Sequence, residues 1–289
     1  IFLEKNKGRA AVYDLLQARE KRIQVSVEDP LNYGFDLEHW KHADAFLENE
    51  EFVAIFGGNR SGKTRYGART VVKALLANPG TEIICFAQDT SASIRVQQRA
   101  VYDYLPPKFK KTTKSSLEYL NWSKKNGFTG AEFILPNGSV CYFQTYSQFQ
   151  HSTAKFEGIE LGCVSPEWHN VGLWLDEYLG DGSLIETMKF RLVTRNAKTI
   201  MTFTPIDGHT PFVGEFLKDA ETKKEVYGEL VDEMLPLVQY SHYKQAGIVF
   251  FHSILNPFGG YSRLKKELKN ATREDILTRA YGIPIKSIN

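Results

Sequence analysis

The sequence predicts an α/β fold in which a buried sheet carries helices on both faces. Three observations lead there. Short, continuously apolar runs of strand length recur along the chain, at residues 51–56, 81–88, 171–175, 198–204 and 249–255. Stretches with helical spacing of apolar residues fall between them. The first run leads directly into Gly57-Gly58-Asn59-Arg60-Ser61-Gly62-Lys63-Thr64, which fits G-x-x-x-x-G-K-[ST] at every fixed position.

At 289 residues the chain can bury a large core, as one α/β domain or two unequal ones. A hydrophobic content of 42% and a charged content of 24% are ordinary for a globular protein, and a net charge of +2 confines any polyanion-binding face to a local patch. No apolar run approaches the length of a membrane span, and no signal-peptide pattern opens the chain. Cys85, Cys141 and Cys163 lack metal-ligand spacing and lie in or near apolar runs. They read as reduced, buried thiols of an intracellular protein. The chain opens on Ile1, which marks either a piece of something longer or a disordered start.

Residues 1–27 have helical character, with a weak apolar stripe of Val12, Leu15, Leu16 and Ile23 able to pack on the core or on a neighbouring subunit. Residues 29–34 read as a loop and 35–48 as a short helix. Tyr33, Phe35 and Trp40 are candidates to stack on a nucleobase, although each taken singly reads as a core aromatic. The apolar run at 51–56 is the first strand. After it, Gly57, Gly58 and Gly62 let the backbone turn tightly, so that amide groups point at phosphate oxygens. Val71, Val72, Leu75 and Leu76 continue as a helix until Asn78-Pro79-Gly80, and its N-terminus favours an anion. Lys63 would reach the β- and γ-phosphates, and the Thr64 hydroxyl would ligate Mg²⁺.

The run at 81–88 is the second strand, and Asp89-Thr90-Ser91 caps a helix through Tyr104. Arg95 and Arg99 on that helix could contact phosphate or form a solvated face. Residues 106–126 mix lysines (108, 110, 111, 114, 124 and 125) with Phe109, Tyr119 and Trp122. That composition suits nucleic-acid contact and equally a solvated excursion. Residues 131–146 form a hairpin, with Asn137-Gly138 as the positive-φ pair of its turn.

The second chemical motif is Val171-Gly172-Leu173-Trp174-Leu175-Asp176-Glu177, a strand ending in two acids. Asp176 would hold the Mg²⁺ shell, and Glu177 would orient and deprotonate an attacking water. An apolar run ending in acids is weak alone and strong downstream of a phosphate loop. Residues 183–192 read as a helix with Arg191, and Arg195 follows. The strand at 198–204 ends in Thr204-Pro205, where a hydroxyl could sense the γ-phosphate. Two helices close the chain, at 263–269 and 273–281, the second with Thr272 as N-cap.

With these pieces in order, the chain from about Trp40 to Pro284 resembles the ATPase domain of the large terminase subunit of tailed bacteriophages. The resemblance rests on residues 57–64, Leu175-Asp176-Glu177, Thr204-Pro205 with Gly208, Asn256-Pro257-Phe258, and Arg279 to Pro284. It implies a RecA-like P-loop NTPase of the additional-strand, catalytic-glutamate type, with a mostly parallel central sheet. It also implies Mg²⁺-dependent ATP hydrolysis driving double-stranded DNA into a procapsid in the host cytoplasm. The implied partners are a portal protein, a small terminase subunit and further copies in a ring, with no membrane. Residues 1–34 would be an N-terminal helical extension, 35–228 the ATPase core, and 229–289 the C-terminal part leading toward a nuclease domain absent from this chain. Arg60 matches an arginine common inside the family's loop, and is expected to touch the γ-phosphate or a neighbouring acid. Thr204 matches the motif that couples hydrolysis to movement.

Two departures stand out. No glutamine precedes the loop between Tyr33 and Phe56 to read adenine, and Phe156-Glu157-Gly158 stands where the family has Arg-Gly. Lys155, Arg191 and Arg195 are the candidates for an arginine-finger role in trans. Three other readings compete. A two-domain helicase would need a second motif set, a small-molecule kinase would need an arginine-rich lid, and a nucleotide-gated assembly protein would not turn over.

Overall fold

The computed structural model describes residues 2–110, 118–151, 158–178, 180, 182–222, 225–226, 229–230 and 236–285. Among these, nine strands form one sheet. They are β1 (Phe52–Gly57), β2 (Glu82–Ala87), β3 (Glu132–Ile134), β4 (Val140–Thr145), β5 (Val171–Asp176), β6 (Lys198–Phe203), β7 (Glu221–Thr222), β8 (Val238–Ser241) and β9 (Ala246–Phe251). Their order across the sheet is β3-β4-β2-β5-β6-β1-β9-β8-β7. Within that order, the strands from β4 through β9 run parallel to their neighbours, and antiparallel strands close both edges. The acid-bearing strand β5 therefore does not adjoin the loop strand β1, because β6 stands between them.

Alternation along each strand sorts side chains onto two faces. Val53 and Ile55 of β1 join the cluster beneath the helix α3 (Lys63–Ala77), with Tyr66, Val71, Val72 and Leu75. Ala54 and Phe56 join the opposite cluster, with Met188 of α5 (Ser183–Leu192) and Phe212, Val213 and Phe216 of α6 (Pro211–Leu217). Strands covered on both faces need apolar side chains at every position, which is why they read as unbroken apolar runs.

Further helices include α1 (Phe2–Glu28), α2 (Trp40–Asn49), α4 (Arg99–Tyr104) and α7 (Arg273–Tyr281). Thr272 caps α7 through its hydroxyl, 3.1 Å from the Asp275 amide. A buried guanidinium fastens the segment before β1 to α3. Arg69 donates to Asp36 at 2.6 Å and to Asp44 at 3.2 and 3.0 Å, and its guanidinium lies 5.6 Å from the Trp40 ring centre.

Several local expectations change. The apolar stripe of α1 is exposed, with Leu15 at 69%. Residues 30–33 are a helical turn, and the next helix starts only at Trp40. The helix after Asp89 contains a π-helical turn at Ser93–Gln98. The last parallel strand runs Ala246–Phe251 rather than 249–255. In the hairpin, Gly138 (φ +83°) is left-handed while Asn137 is not. The turn is a Leu135–Gly138 bend closed by the Gly138 amide on the Leu135 carbonyl at 2.9 Å, a bulged form rather than a two-residue turn. All three cysteines are free and buried.

Helix α3 lies close on the sheet at Gly67, where a methyl group would meet the Trp174 indole at 2.2–2.5 Å. Gly67→Ala gains at most about 1 kcal/mol of helix propensity, whereas overpacking costs about 1–3 kcal/mol. A net loss of stability is expected, read as a lower urea midpoint with an unchanged slope.

Candidate active site

The loop after β1 is shaped by close approach. A side chain on Gly57 would meet Ser61 Oγ at 2.8 Å and Lys63 Cδ at 2.9 Å, and one on Gly58 would meet the Ala280 carbonyl oxygen at 2.4 Å. Gly62 (φ +93°) precedes α3, so that Lys63 and Thr64 open the helix. Arg60 is exposed and also left-handed (φ +60°), a conformation that costs a residue with a side chain about 1–2 kcal/mol.

The loop backbone is held from outside by residues far along the chain. The Gly58 amide donates to the Phe251 carbonyl at 3.0 Å and the Asn59 amide to the Arg279 carbonyl at 2.5 Å. Ser253 Oγ donates to the Asn59 carbonyl at 2.5 Å, and Asn256 Nδ2 to the Arg60 carbonyl at 2.7 Å. His39 Nε2 lies 3.0 Å from the Ser61 carbonyl. Burial pushes the His39 imidazole down to about 4, so the ring is neutral at ordinary pH. Because a carbonyl only accepts, Nε2 carries the proton.

From β5, Asp176 and Glu177 reach the same place. Lys63 Nζ lies 2.9 Å from Glu177 Oε1, and the Thr204 amide donates to Glu177 Oε2 at 2.9 Å. Glu177 is left-handed too (φ +51°), with its amide on the Thr202 carbonyl at 2.6 Å. Asp176 Oδ1 accepts from Thr202 Oγ1 at 2.7 Å and from Thr64 Oγ1 at 3.4 Å. Burial, reinforced by the neighbouring Glu177 charge, pushes the Asp176 carboxyl up to about 7 against the pull of Thr202, Lys63 and Thr64. Thr64 and Asp176 together offer hard oxygen donors, the donor set that suits Mg²⁺. Beside them opens a cavity of about 700 Å³, lined by Arg60, Lys63, Thr64, Arg99, Phe35 and Phe258 among others. That volume is in the range of a small-molecule site.

Lys63, Thr64, Asp176, Glu177 and Thr204 thus meet. Thr204 does so through its amide; its hydroxyl is buried without a hydrogen-bond partner among the described residues. Trp40 borders the cavity but is only 2% exposed, packed against Tyr66 and under Arg69, so it offers no open face for a base. Arg195 and Arg191 lie at the opposite end of the sheet from the loop and take no part in the chain's own site. Arg195 donates to the Gly162 carbonyl at 2.9 Å and pairs with Glu160 at 3.4 Å, and the Arg191 carbonyl accepts from Leu161 at 2.9 Å. Gly162 in turn pairs with Glu82 at the start of β2, one strand length (about 20 Å) from the loop edge. Helix α5 runs from the acid end of β5 back to the start of β6, which carries both arginines away. Lys155 lies outside the described residues. Of the aromatic-basic stretch, Phe109 is buried and Trp122 stacks on Tyr102 at 4.3 Å, so those rings serve the fold. Lys111 and Lys114 also lie outside the described residues.

From the sequence, His39, Thr202 and Ser253 are not expected at the site, and Asn256 is singled out only as part of the family resemblance. A hydroxyl within an apolar strand is the one signal that could have pointed to Thr202.

A phosphate loop on β1, paired acids ending β5 and a parallel strand inserted between them define a RecA-like P-loop nucleoside triphosphatase of the additional-strand type. The chain belongs to the family of T4likevirus-type terminase large subunits, N-terminal region, whose model matches residues 54–278. Among solved structures, the large terminase ATPase domain of Thermus phage P74-26 matches with a TM-score of 0.53 at 13% identity, covering 84% of this chain and 92% of that one. The large terminase of a thermophilic bacteriophage matches with a TM-score of 0.59 at 14% identity, covering 86% of this chain. The present chain spans about half of that second protein, 53% of its length. Identities this low establish a shared fold. No curated protein sequence matches the chain.

The buried Asp176 gives the metal-free protein a defined pH dependence. Its folded value of about 7 lies above the ordinary 3.8, so the folded state keeps a proton that the unfolded chain loses. Stability contributed by the protonated form is therefore present below pH ~4 and lost as pH rises to 7. In EDTA, Asp176→Asn should raise the melting temperature at pH 8 by several degrees and by much less at pH 5. A ceiling of about 4 kcal/mol follows from the size of the shift. Equal melting of the two proteins at pH 8 would contradict it.

Proposed function

We propose that this chain is the ATP-hydrolysing domain of a viral DNA-packaging motor, turning over Mg-ATP to move double-stranded DNA into a procapsid. The observation that carries the reading is the meeting of Lys63, Thr64, Asp176 and Glu177 at one loop from separate strands. Portal protein, small terminase subunit and further copies in a ring are the proposed partners, acting in the host cytoplasm. Among the described residues no helix is long and apolar enough to cross a membrane.

Each residue has a definable task. The glycine loop of residues 57–62, with Asn59 and Ser61 in its backbone, shapes the cradle for the phosphates, while the amides of Gly58 and Asn59 stay bonded to the Phe251 and Arg279 carbonyls. Lys63 exchanges its Glu177 partner for phosphate oxygens. Glu177, kept in place by the Thr204 amide, then accepts a proton from the attacking water. Thr64 and Asp176 would hold Mg²⁺, which when bound offsets negative charge on the triphosphate. Arg60, exposed at the loop, is placed in the same charge-balancing role. Thr204 links Glu177 to the strand end and so to any movement of the segment after it. In domain terms, 35–228 form the proposed core and 229–289 complete it, since β8 and β9 continue the same sheet.

Phosphate release tests the reading. Glu177→Gln should lower turnover about 10²–10⁴-fold while ATP remains bound, whereas Lys63→Ala should lose ATP binding. Wild-type release should rise when DNA and procapsids are present with the full-length protein. Turnover by Glu177→Gln at the wild-type rate would overturn the assignment.

A further inference from the structure

Asn256-Pro257-Phe258 takes no part in phosphate chemistry, yet it is wired to the loop. While Asn256 Nδ2 donates to the Arg60 carbonyl at 2.7 Å, Asn256 Oδ1 accepts from the Phe258 amide at 3.0 Å. One side chain therefore sets the position of Phe258 relative to the phosphate cradle. Phe258 lines the same cavity as Lys63 and is 58% exposed. Facing it, from the segment before α2, is Phe35, 47% exposed and lining the same cavity. The two ring centres stand 6.1 Å apart with their planes at 40°, an open V. The Arg22 guanidinium lies 5.2 Å from the Phe35 ring centre. Two large aromatic rings half open to water at the rim of a charged cavity call for a planar apolar partner. A flat ring slid between two others needs about 7 Å, twice a carbon–carbon contact distance. The V therefore has to open by about an ångström, and Phe258 stands beside Gly259 (φ +88°), a conformation open to glycine.

We infer that Phe35 and Phe258 form the nucleobase jaw of this site, gripping the base of the triphosphate by stacking. The inference rests on the triphosphate reading above and adds what holds the other end of the molecule. It also answers the lack of a glutamine before the loop: a stacked base is held by its faces, with no need of a side chain reading its edge. The larger face of a purine makes it the favoured occupant over a pyrimidine.

Calorimetric titration with Mg-ATP, Mg-CTP and Mg-tripolyphosphate tests this on the chain as it stands. Phe35→Ala and Phe258→Ala should each weaken ATP binding about 10-fold or more, as base–aromatic stacking losses do. Both should bind tripolyphosphate as wild type does, narrow the preference for ATP over CTP, and melt at the wild-type temperature because both rings are half exposed. Phe258→Trp should restore ATP affinity. Equal weakening of ATP and tripolyphosphate, or no weakening of either, would overturn the jaw. Lys63→Ala is the separate control: if it binds tripolyphosphate as tightly as wild type, the phosphate reading itself fails.

Discussion

The ion pair between Lys63 and Glu177 joins two residues from distant parts of the chain at 2.9 Å, and it exists only because parallel strands end along one edge. β1 delivers the lysine through the turn into α3. β5, two places away, delivers the glutamate, and β6 between them delivers Thr202 and Thr204 to hold both acids. The lysine's positive charge is met there by the Glu177 carboxylate. On the proposed mechanism, binding and activation are coupled at one contact, because an incoming polyanion would compete for Lys63 and release Glu177 in the same event.

Strain gathers where that contact is made. Arg60 and Glu177 are both left-handed without being glycine, and such residues persist only when their surroundings over-determine them. For Glu177 the surroundings are the Thr202 carbonyl, the Thr204 amide and Lys63. For Arg60 they come from the far end of the chain, through Asn256. The phosphate loop is in effect sandwiched between α3, which it starts, and the segment from Phe251 to Gly282, which packs on its back. Gly58 and Gly282 are the points of closest approach: a side chain on Gly282 would strike the Phe56 carbonyl oxygen at 2.4 Å. The Asn59–Arg279 hydrogen bond ties the loop directly to α7.

Burial sets the two acids apart. Asp176 is almost wholly enclosed, and burial pushes its carboxyl up to about 7. Glu177 is partly open to solvent and already paired. Adjacent in sequence, they differ because the first side chain turns beneath β6 while the left-handed second residue swings toward the loop.

The sequence alone determined the α/β class, the phosphate loop, the paired acids and most of the central strands. Those features are written in local patterns: glycine spacing, unbroken apolar runs, an apolar strand ending in charge. Only the tertiary structure decided the rest. It inserted β6 between β1 and β5, sent Arg191 and Arg195 to the far end of the sheet, and sealed Trp40 under Arg69. It also brought His39, Ser253 and Asn256 to the loop and set Phe35 against Phe258. The reason is physical. A residue's chemistry and its local periodicity are carried within a few neighbours, but which strand lies beside which is settled by long-range packing of two faces. A serine or asparagine two hundred positions from the loop carries no local mark of the carbonyl it will meet.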